Sequence, residues 1–433
     1  MKIRILSGKK GAPEGSGAAA QEPAAETHPG RIVIRRDLVT EDRYQRFRLI
    51  RWWEQEILAN ARVLVIGAGA LGNEVLKNLA LLGVGQIVLF DLDRIEDSNL
   101  TRSVLFRQSD VGRYKADAAA EEVSELNPDC HVVPIVGNIN YDLGLGVIAN
   151  ADVVIGCLDN IEARFRLNRA CYRLGKLFID AGLDHLNGDV RVYHGADRPC
   201  YECGLNEYDR RTLEKQMSCL KLARAEGKGR AIPTVPTVSS IIAGLQVQIA
   251  VRHLHGLAIP SGRRLGMYGL SDVWFDNELL ISDSCATHNW VDPIDANDIR
   301  ELPLSAQTAT CNDLLHYVEA ELGTEATIQI EDRDLVIAFH CASCDESRPH
   351  FDLLGRASEE QARCPECGET RAPVLLPELK RDHPYGDKTL LEVGIPPAHV
   401  LVARNREGFE YRAFALAKDF SNYWKPRQKQ SGS

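Results

Sequence analysis

Alternating strand and helix patterns, a glycine-rich turn after the first strand, and cysteines paired at metal-binding spacing predict an α/β protein. It should comprise a Rossmann-like doubly wound sheet with a zinc site, then a small C-terminal α+β module built on a zinc ribbon. Residues 1–30 include GAPEGSGAAAQEPAAETHPG, which offers too little apolar surface to pack and reads as a tail and flexible linker. The main domain is placed at 31–300. It enters through EDRYQRFRLIRWWEQEILAN, whose bulky residues suggest one helix over 41–60. ARVLVIGAGALG switches to a β-rich apolar run ending in glycines. NEVLKNLALLGVG is a helix stopped by glycine, and QIVLFDLD is a second strand. A helix (KADAAAEEVSELNP) and two strands (CHVVPIVG, ADVVIGCLDN) follow. Strands alternating with helices need crossover connections, hence a parallel sheet. Residues 205–236 are polar and aperiodic and read as a long loop. SSIIAGLQVQIAVRHLHG is then a helix ending at Gly256. The C-terminal module covers 301–433, with the ribbon at 338–370.

A length of 433 residues suits two or three domains. Hydrophobic content of 44% and charged content of 26% are those of a soluble globular chain. No stretch approaches the ~18 apolar residues of a membrane helix. The richest, near Ile241, is broken by Gln246 and Gln248, and MKIRILSGKK lacks the apolar core of a secretory signal. A net charge of −10 argues against a nucleic-acid partner, because phosphate neutralisation needs a basic surface. Twelve cysteines in so long a chain, several in Cys-x-x-Cys pairs, suit metal binding in a reducing compartment and suggest a cytoplasmic protein.

Gly67, Gly69 and Gly72 fit G-x-G-x-x-G between a strand and a helix, where backbone N–H groups can approach a phosphate at the helix N-terminus. Asp91 closes the next strand, where a carboxylate can accept ribose hydroxyls. Taken alone, these residues suit an NAD-dependent oxidoreductase. The segment after Asp91 points elsewhere. Asp91, Asp93, Ser98-Asn99-Leu100, Arg102, Leu105-Phe106 and Asp110-Val111-Gly112 with Lys115 resemble the signature of the superfamily that activates ubiquitin-like and sulfur-carrier proteins; Ser103 departs from its usual Gln. Arg43-Tyr44-Gln45-Arg46 resembles that family's entry helix. Cys157-Leu158-Asp159-Asn160, with Arg164 and Asn168, resembles its loop after the fourth strand. The resemblance covers roughly residues 40–300.

It implies ATP-dependent adenylation of a protein's C-terminal carboxylate. Two anions must approach, so cations and a metal are needed at the phosphates. Arg102 and Lys115 would hold the triphosphate, Asn99 would orient its oxygens, and Asp159 would bind Mg²⁺. By resemblance Arg46 would reach the neighbouring subunit's site, implying a homodimer. Asp93 can instead be a turn residue, and Asp110 a helix cap.

Cys200 and Cys203 form a metal half-site. The family supplies a second pair beyond the long loop, for which Cys285 and His288 stand here, giving a structural Cys₃His zinc set. Cys341, Cys344, Cys364 and Cys367 make a self-contained Cys₄ zinc ribbon with no open position. Cys130, Cys157, Cys171 and Cys311 lie in apolar runs and read as small buried hydrophobes. Cys219 differs: Lys215, Lys221, Arg224 and Lys228 surround it, and cations favour the nucleophilic thiolate. In relatives of the ubiquitin-activating kind, the loop crossing over the adenylate carries a thioester-forming Cys. Thr212-Leu213-Glu214, Pro233-Thr234 and Pro236-Thr237 resemble the flanks of that Cys in ubiquitin-fold-modifier activating enzymes.

The leading expectation is therefore a homodimeric activating enzyme for a ubiquitin-like protein. It would use ATP, Mg²⁺ and two structural Zn²⁺ and pass the modifier through Cys219 to a conjugating enzyme. By resemblance to compact bacterial conjugation systems, its role would be antiviral defence. The alternative is a sulfur-carrier adenylyltransferase, of the molybdopterin or thiamine type, that stops at the acyl-adenylate. A non-enzymatic scaffold and an NAD-dependent oxidoreductase are the remaining readings.

Overall fold

Val63, Leu64, Val65 and Ile66 are all buried, as expected of a strand covered on both faces. The computed structural model describes residues 42–217, 233–330, 333–381, 383, 385–405 and 410–427. The chain forms two compact units, residues 1–53 and residues 54–433. In the first, Tyr44, Phe47, Trp52 and Trp53 stack in sequence around a 3-10 turn at Phe47–Leu49, with Phe47 and Trp53 rings 4.9 Å apart. The single helix expected over 41–60 is not formed. Ile50 and Glu54 are extended, because the apolar residues of this stretch do not keep to one helical face.

The second unit begins with helix α1 (Gln55–Ala59), then β1 (Arg62–Ile66), α2 (Ala70–Leu82), β2 (Gln86–Phe90), α3 (Lys115–Leu126), β3 (His131–Ile135), α4 (Ile139–Asp142), α5 (Leu145–Ala149), β4 (Val153–Gly156), α6 (Ile161–Arg173) and β5 (Phe178–Asp184). It continues through β6 (Asn187–Tyr193), α7 (Glu207–Met217), α8 (Pro236–Leu254), β7 (Arg263–Tyr268), β8 (Val273–Glu278) and α9 (Ala286–Trp290). The eight strands form one sheet in the order β3-β2-β1-β4-β5-β6-β7-β8. The first five are parallel, with Val63 level with both Ile87 and Val153, and β6, β7 and β8 extend the sheet antiparallel. Leu64 and Ile66 join Val88, Phe90, Phe165 and Leu167 in one core layer. Val63 and Val65 face the other side by strand alternation. There α2 packs on α3 and α8, and α8 lies against β4, β5 and β6. Gly83 closes α2 in the left-handed region at φ 76°. Within 205–236, expected as continuous loop, Glu207–Met217 is helical. Among the described residues, no helix is long and apolar enough to cross a membrane.

The C-terminal part holds β9 (Arg300–Leu302), α10 (Cys311–Leu322), β10 (Ala326–Gln329), β11 (Leu335–Cys341), β12 (Glu346–Leu353), α11 (Glu359–Ala362), β13 (Ala372–Leu376), β14 (Glu378–Leu379), β15 (Val400–Asn405) and β16 (Tyr411–Leu416). Five strands, ordered β14-β10-β15-β16-β9, form a mixed sheet against α10, whose start is fixed by reciprocal Thr310 and Asp313 hydrogen bonds. The other three, β12-β11-β13, form the ribbon. The chain then returns to the main sheet. Tyr423 and Trp424 enter its core, and Trp424 donates to the Val147 carbonyl at 3.2 Å. The Lys425 amide donates to the Gln86 side chain at 2.8 Å, and Arg62 donates to the Lys425 carbonyl at 2.6 Å.

Candidate active site and metal centres

The turn after β1 is set by three local demands. Gly67 sits at φ 97°, and its N–H donates to the Phe90 carbonyl at 2.8 Å. A Cβ on Gly67 would lie 2.5 Å from the Cys157 carbonyl oxygen, and one on Gly72 would lie 1.9 Å from the Gly67 oxygen. These two glycines are required by the protein's own packing. Gly69 is not: its φ is −73°, and an added Cβ would meet no described atom within 4 Å. A glycine there leaves open space in front of the N-terminus of α2.

Asp91 ties this turn to β2. Its carboxylate accepts from the Ala68 amide at 2.6 Å and from the Asp93 amide at 2.8 Å. Burial pushes its pKa up, opposed by the Lys115 ammonium and those two amides. Each oxygen retains a further lone pair for a hydroxyl. Lys115 opens α3 and pairs with Asp93 at 2.8 Å, so Asp93 has an ionic role beyond a turn. Asn99 ends a 3-10 turn and accepts the Glu96 amide at 3.0 Å, while half-buried Arg102 donates to the Ser98 carbonyl at 2.7 Å. Asp110 accepts the Arg107 amide at 2.8 Å and pairs with Arg113 at 2.8 Å, which is a capping role.

Asn73, unremarked in the sequence, joins these parts. It is fully buried on α2 and donates to the carbonyls of Ala68 (2.7 Å) and Gly69 (3.1 Å). Its oxygen accepts the Leu105 amide at 2.9 Å. One side chain thus fixes the glycine turn and the segment bearing Arg102. The available signal was a polar residue directly after the glycine motif, at the start of α2.

After β4, Asp159 is exposed, and its carboxylate has no hydrogen bond or ion pair among the described residues. The loop beneath it is held. Arg164 donates to the carbonyls of Leu158 and Ala181 and faces buried Asp180 at 3.3 Å, and Asn160 caps α6 through the Ala163 amide at 2.8 Å. Gln246, read from sequence only as interrupting an apolar run, is fully buried on α8 and donates to the carbonyls of Gly156 (3.0 Å) and Ile179 (3.2 Å). Gly67, Asp91 and Asp159 therefore stand at the C-terminal ends of β1, β2 and β4, where the strand order reverses between β1 and β4 and ligands bind in open α/β sheets. Arg46 is exposed in the 1–53 unit. Cys219 lies outside the described residues.

Two clusters could hold metal ions, each with its four ligand atoms within 4.8 Å of one another: Cys200, Cys203, Cys285 and His288, and Cys341, Cys344, Cys364 and Cys367. In the first, His288 Nε2 lies 3.0 Å from the Arg198 carbonyl. Donation there leaves Nδ1, 3.2 Å from Cys285 Sγ and 3.5 Å from Cys203 Sγ, as the ligand atom. Glu202, between the first two cysteines, is buried. It accepts from the amides of Ala286 (3.1 Å) and Thr287 (3.0 Å) and from the Thr287 hydroxyl (2.6 Å). Asn168 accepts the Tyr201 amide at 2.9 Å, docking the half-site on α6. In the second cluster Cys341 and Cys367 sulfurs are 3.6 Å apart, and Gly368 at φ 78° turns the chain after the last ligand. Cys130, Cys171 and Cys311 are buried, and burial pushes the thiols of Cys130 and Cys311 up to about 12.

The sequence profile of the ThiF family matches residues 41–278. Molybdopterin-synthase adenylyltransferase of Salmonella typhimurium is 30% identical over 248 residues, 56% of this chain and 94% of the relative. Ubiquitin-like modifier-activating enzyme 5 of Dictyostelium discoideum is 29% identical over 218 residues, 46% of this chain and 54% of the relative. Adenylyltransferase and sulfurtransferase MOCS3 of Drosophila grimshawi is 37% identical over 147 residues; the match spans only 34% of this chain and 33% of the relative. Among solved structures, E. coli MccB with succinimide is similar at 26% identity and a TM-score of 0.48, over 57% of this chain and 75% of the other.

Proposed function

The chain belongs to the ThiF family, and on that premise we propose that it is an adenylyltransferase acting on the C-terminal carboxylate of a ubiquitin-like or sulfur-carrier protein. The observation that carries this reading is Gly69. It is the one glycine of the motif that the protein's own packing does not require, and it leaves the amides at the start of α2 open to a phosphate. ATP is then the substrate, with Asp91 accepting ribose hydroxyls and Asn99, Arg102 and Lys115 meeting the phosphates. A bound triphosphate draws Lys115 from Asp93. The carrier's carboxylate oxygen attacks the α-phosphorus and pyrophosphate leaves. Mg²⁺, when bound, supplies charge neutralisation at the phosphates, and exposed Asp159 suits it as a hard carboxylate ligand. The Cys₃His and Cys₄ clusters suit structural Zn²⁺. In a homodimer, Arg46 of a second copy would add a further cation.

Relatives named molybdopterin-synthase adenylyltransferase and sulfur carrier protein ThiS adenylyltransferase favour a sulfur-carrier substrate, the alternative weighed from sequence. A second reading adds a thioester on Cys219 and transfer to a conjugating enzyme; the similarity to modifier-activating enzyme 5 supports it. ATP–pyrophosphate exchange with candidate carrier proteins tests the adenylation step. Exchange should depend on the carrier and vanish in a folded Asp159→Ala variant; full exchange in that variant refutes the assignment. Stabilisation by NAD rather than by ATP with Mg²⁺ would favour the oxidoreductase. A thiol-sensitive adduct that Cys219→Ala removes, with exchange retained, selects the thioester reading over the sulfur-carrier one.

A further inference from the structure

The opposite end of the main sheet holds a second polar cleft. A cavity of about 350 Å³ opens beside the N-terminal ends of β4 and β5, between α1 and the end of α8. Its polar wall is Asp152, Lys176, His194, His253 and Arg427. Asp152 is the sole carboxylate among the described lining residues, and both of its oxygens are engaged. Arg427 pairs with one at 2.6 Å, and the Arg62 amide donates to the other at 2.9 Å. Lys176 spends one ammonium hydrogen on the Ala151 carbonyl at 3.0 Å, leaving two donors. His194 and His253 meet edge to face at 5.2 Å. The remaining wall includes the apolar side chains of Ile57, Ala61, Leu177 and Leu254. Nothing in the adenylation chemistry uses these groups, because that site lies at the C-terminal strand ends.

We propose that this cavity is a binding site for a small tetrahedral oxyanion of the phosphate class, held by Lys176, Arg427 and the imidazoles of His194 and His253. The volume is large beside the ~30 Å³ share of one liquid water, so a phosphate group fits with solvent to spare. Lys176 and Arg427 offer a point charge and a planar fork, the two donor types that together hold phosphate oxygens. Apolar walls concentrate their field on whatever enters. The imidazoles add a proton linkage. Burial holds Lys176, His194 and His253 below their ordinary values, and His253 is also lowered by His194 and Lys176 and raised by Asp152. On Lys176 the Asp152 carboxylate opposes burial by raising it, Arg427 lowers it and Cys171 raises it. An incoming anion reverses the net depression, so binding takes up protons and tightens as pH falls.

Isothermal titration calorimetry of the full chain tests this, with sulfate as the first probe because it keeps its double charge between about pH 6 and pH 8. Sulfate should bind more tightly as the pH falls, by up to about tenfold per pH unit, the change that one linked proton gives. Lys176→Met should weaken binding by at least about tenfold, the loss of one charge-assisted contact. Lys176→Arg should restore most of it, and the same losses should appear in a Lys115→Met background, where the nucleotide end has lost a phosphate contact. His253→Gln gives an independent reading if Lys176→Met does not fold. Phosphate and pyrophosphate arms distinguish the source: the tighter of the two identifies a monophosphate or a diphosphate ligand. No sulfate heat at either pH, or affinity unchanged in both Lys176→Met and His253→Gln, overturns the proposal. Because Lys176 and His253 lie at the opposite end of the sheet from the nucleotide residues, their effect in the Lys115→Met background keeps this site's outcome apart from that of the function proposed above.

Discussion

Replacing Gly69 by alanine separates a glycine kept for a ligand from glycines kept for the fold. The added methyl meets no described atom within 4 Å, and φ −73° suits any residue. Two small effects on folding oppose each other. Alanine reduces the entropy of the unfolded chain, worth about 0.4–1 kcal/mol. As an N-cap it serves α2 less well than glycine, costing roughly 0.5–1 kcal/mol. The net change in stability should fall within about 1 kcal/mol of zero. Binding behaves differently, because the methyl projects into the space that a phosphate needs to reach the amides of α2. Loss of one charge-assisted hydrogen bond costs about 1.5–3 kcal/mol, or roughly 10- to 150-fold in ATP affinity. Gly72→Ala is the control. Its Cβ would sit 1.9 Å from the Gly67 oxygen, so it should destabilise the fold by at least the ~1–3 kcal/mol of an overpacked core. Urea denaturation and ATP titration of both variants measure the two quantities. Wild-type ATP affinity in Gly69→Ala would refute the assignment of that glycine to a ligand.

Asn73→Ala strands the Leu105 amide in a buried site and should cost about 1–3 kcal/mol in chemical denaturation. It should also raise KM for ATP by loosening the segment bearing Arg102, whereas a purely structural role would leave KM unchanged in the folded fraction. Metal analysis should find two zinc ions per chain, and Cys364→Ser should remove one while the Cys₃His ion remains. Burial and the guanidinium groups of Arg333 and Arg173 hold His399 well below its ordinary value, and its Nδ1 accepts the Leu145 amide at 3.2 Å. A depressed folded value means that this stability is complete above about pH 6.5. It is lost toward acid at up to about 1.4 kcal/mol per pH unit. Denaturation midpoints of His399→Gln between pH 7 and 5 should fall less steeply than those of the wild type.

Four of the five parallel strands, β1 to β4, were legible as short apolar runs; β5, which carries Asp180 and Asp184, was not. Nor was the antiparallel half. In β8, Val273, Trp274, Asp276, Asn277 and Glu278 are all exposed, so no alternation marks a strand. Gly67, Asp91 and Asp159 follow three neighbouring strands, and Asn99, Arg102 and Lys115 lie in the segment between β2 and the start of α3. The roles of Asn73 and Gln246 were hidden for a different reason. Gln246 spends its amide on the Gly156 and Ile179 carbonyls, and the Asn73 oxygen takes the Leu105 amide; only tertiary packing reveals those partners. Glu202 could be seen between two cysteines, yet the amides that donate to it, those of Ala286 and Thr287, lie more than eighty residues away.

The return of residues 423–427 to the main sheet has a consequence for how the protein is made. Arg62 and Gln86, which open the first two strands, find hydrogen-bond partners in Lys425, and Val147 finds one in Trp424. A ribosome emits those strands more than three hundred residues before it emits Lys425. During that interval the nascent sheet exposes the apolar surface that Tyr423 and Trp424 later cover. Closing so long a loop adds little to its entropy beyond a loop half its length, about 0.6 kcal/mol per doubling. The delay is therefore set by translation, at ~5–20 residues per second, and lasts roughly fifteen seconds to a minute. Through that window a chaperone has a defined hydrophobic patch to hold, on a domain whose nucleotide end is already built.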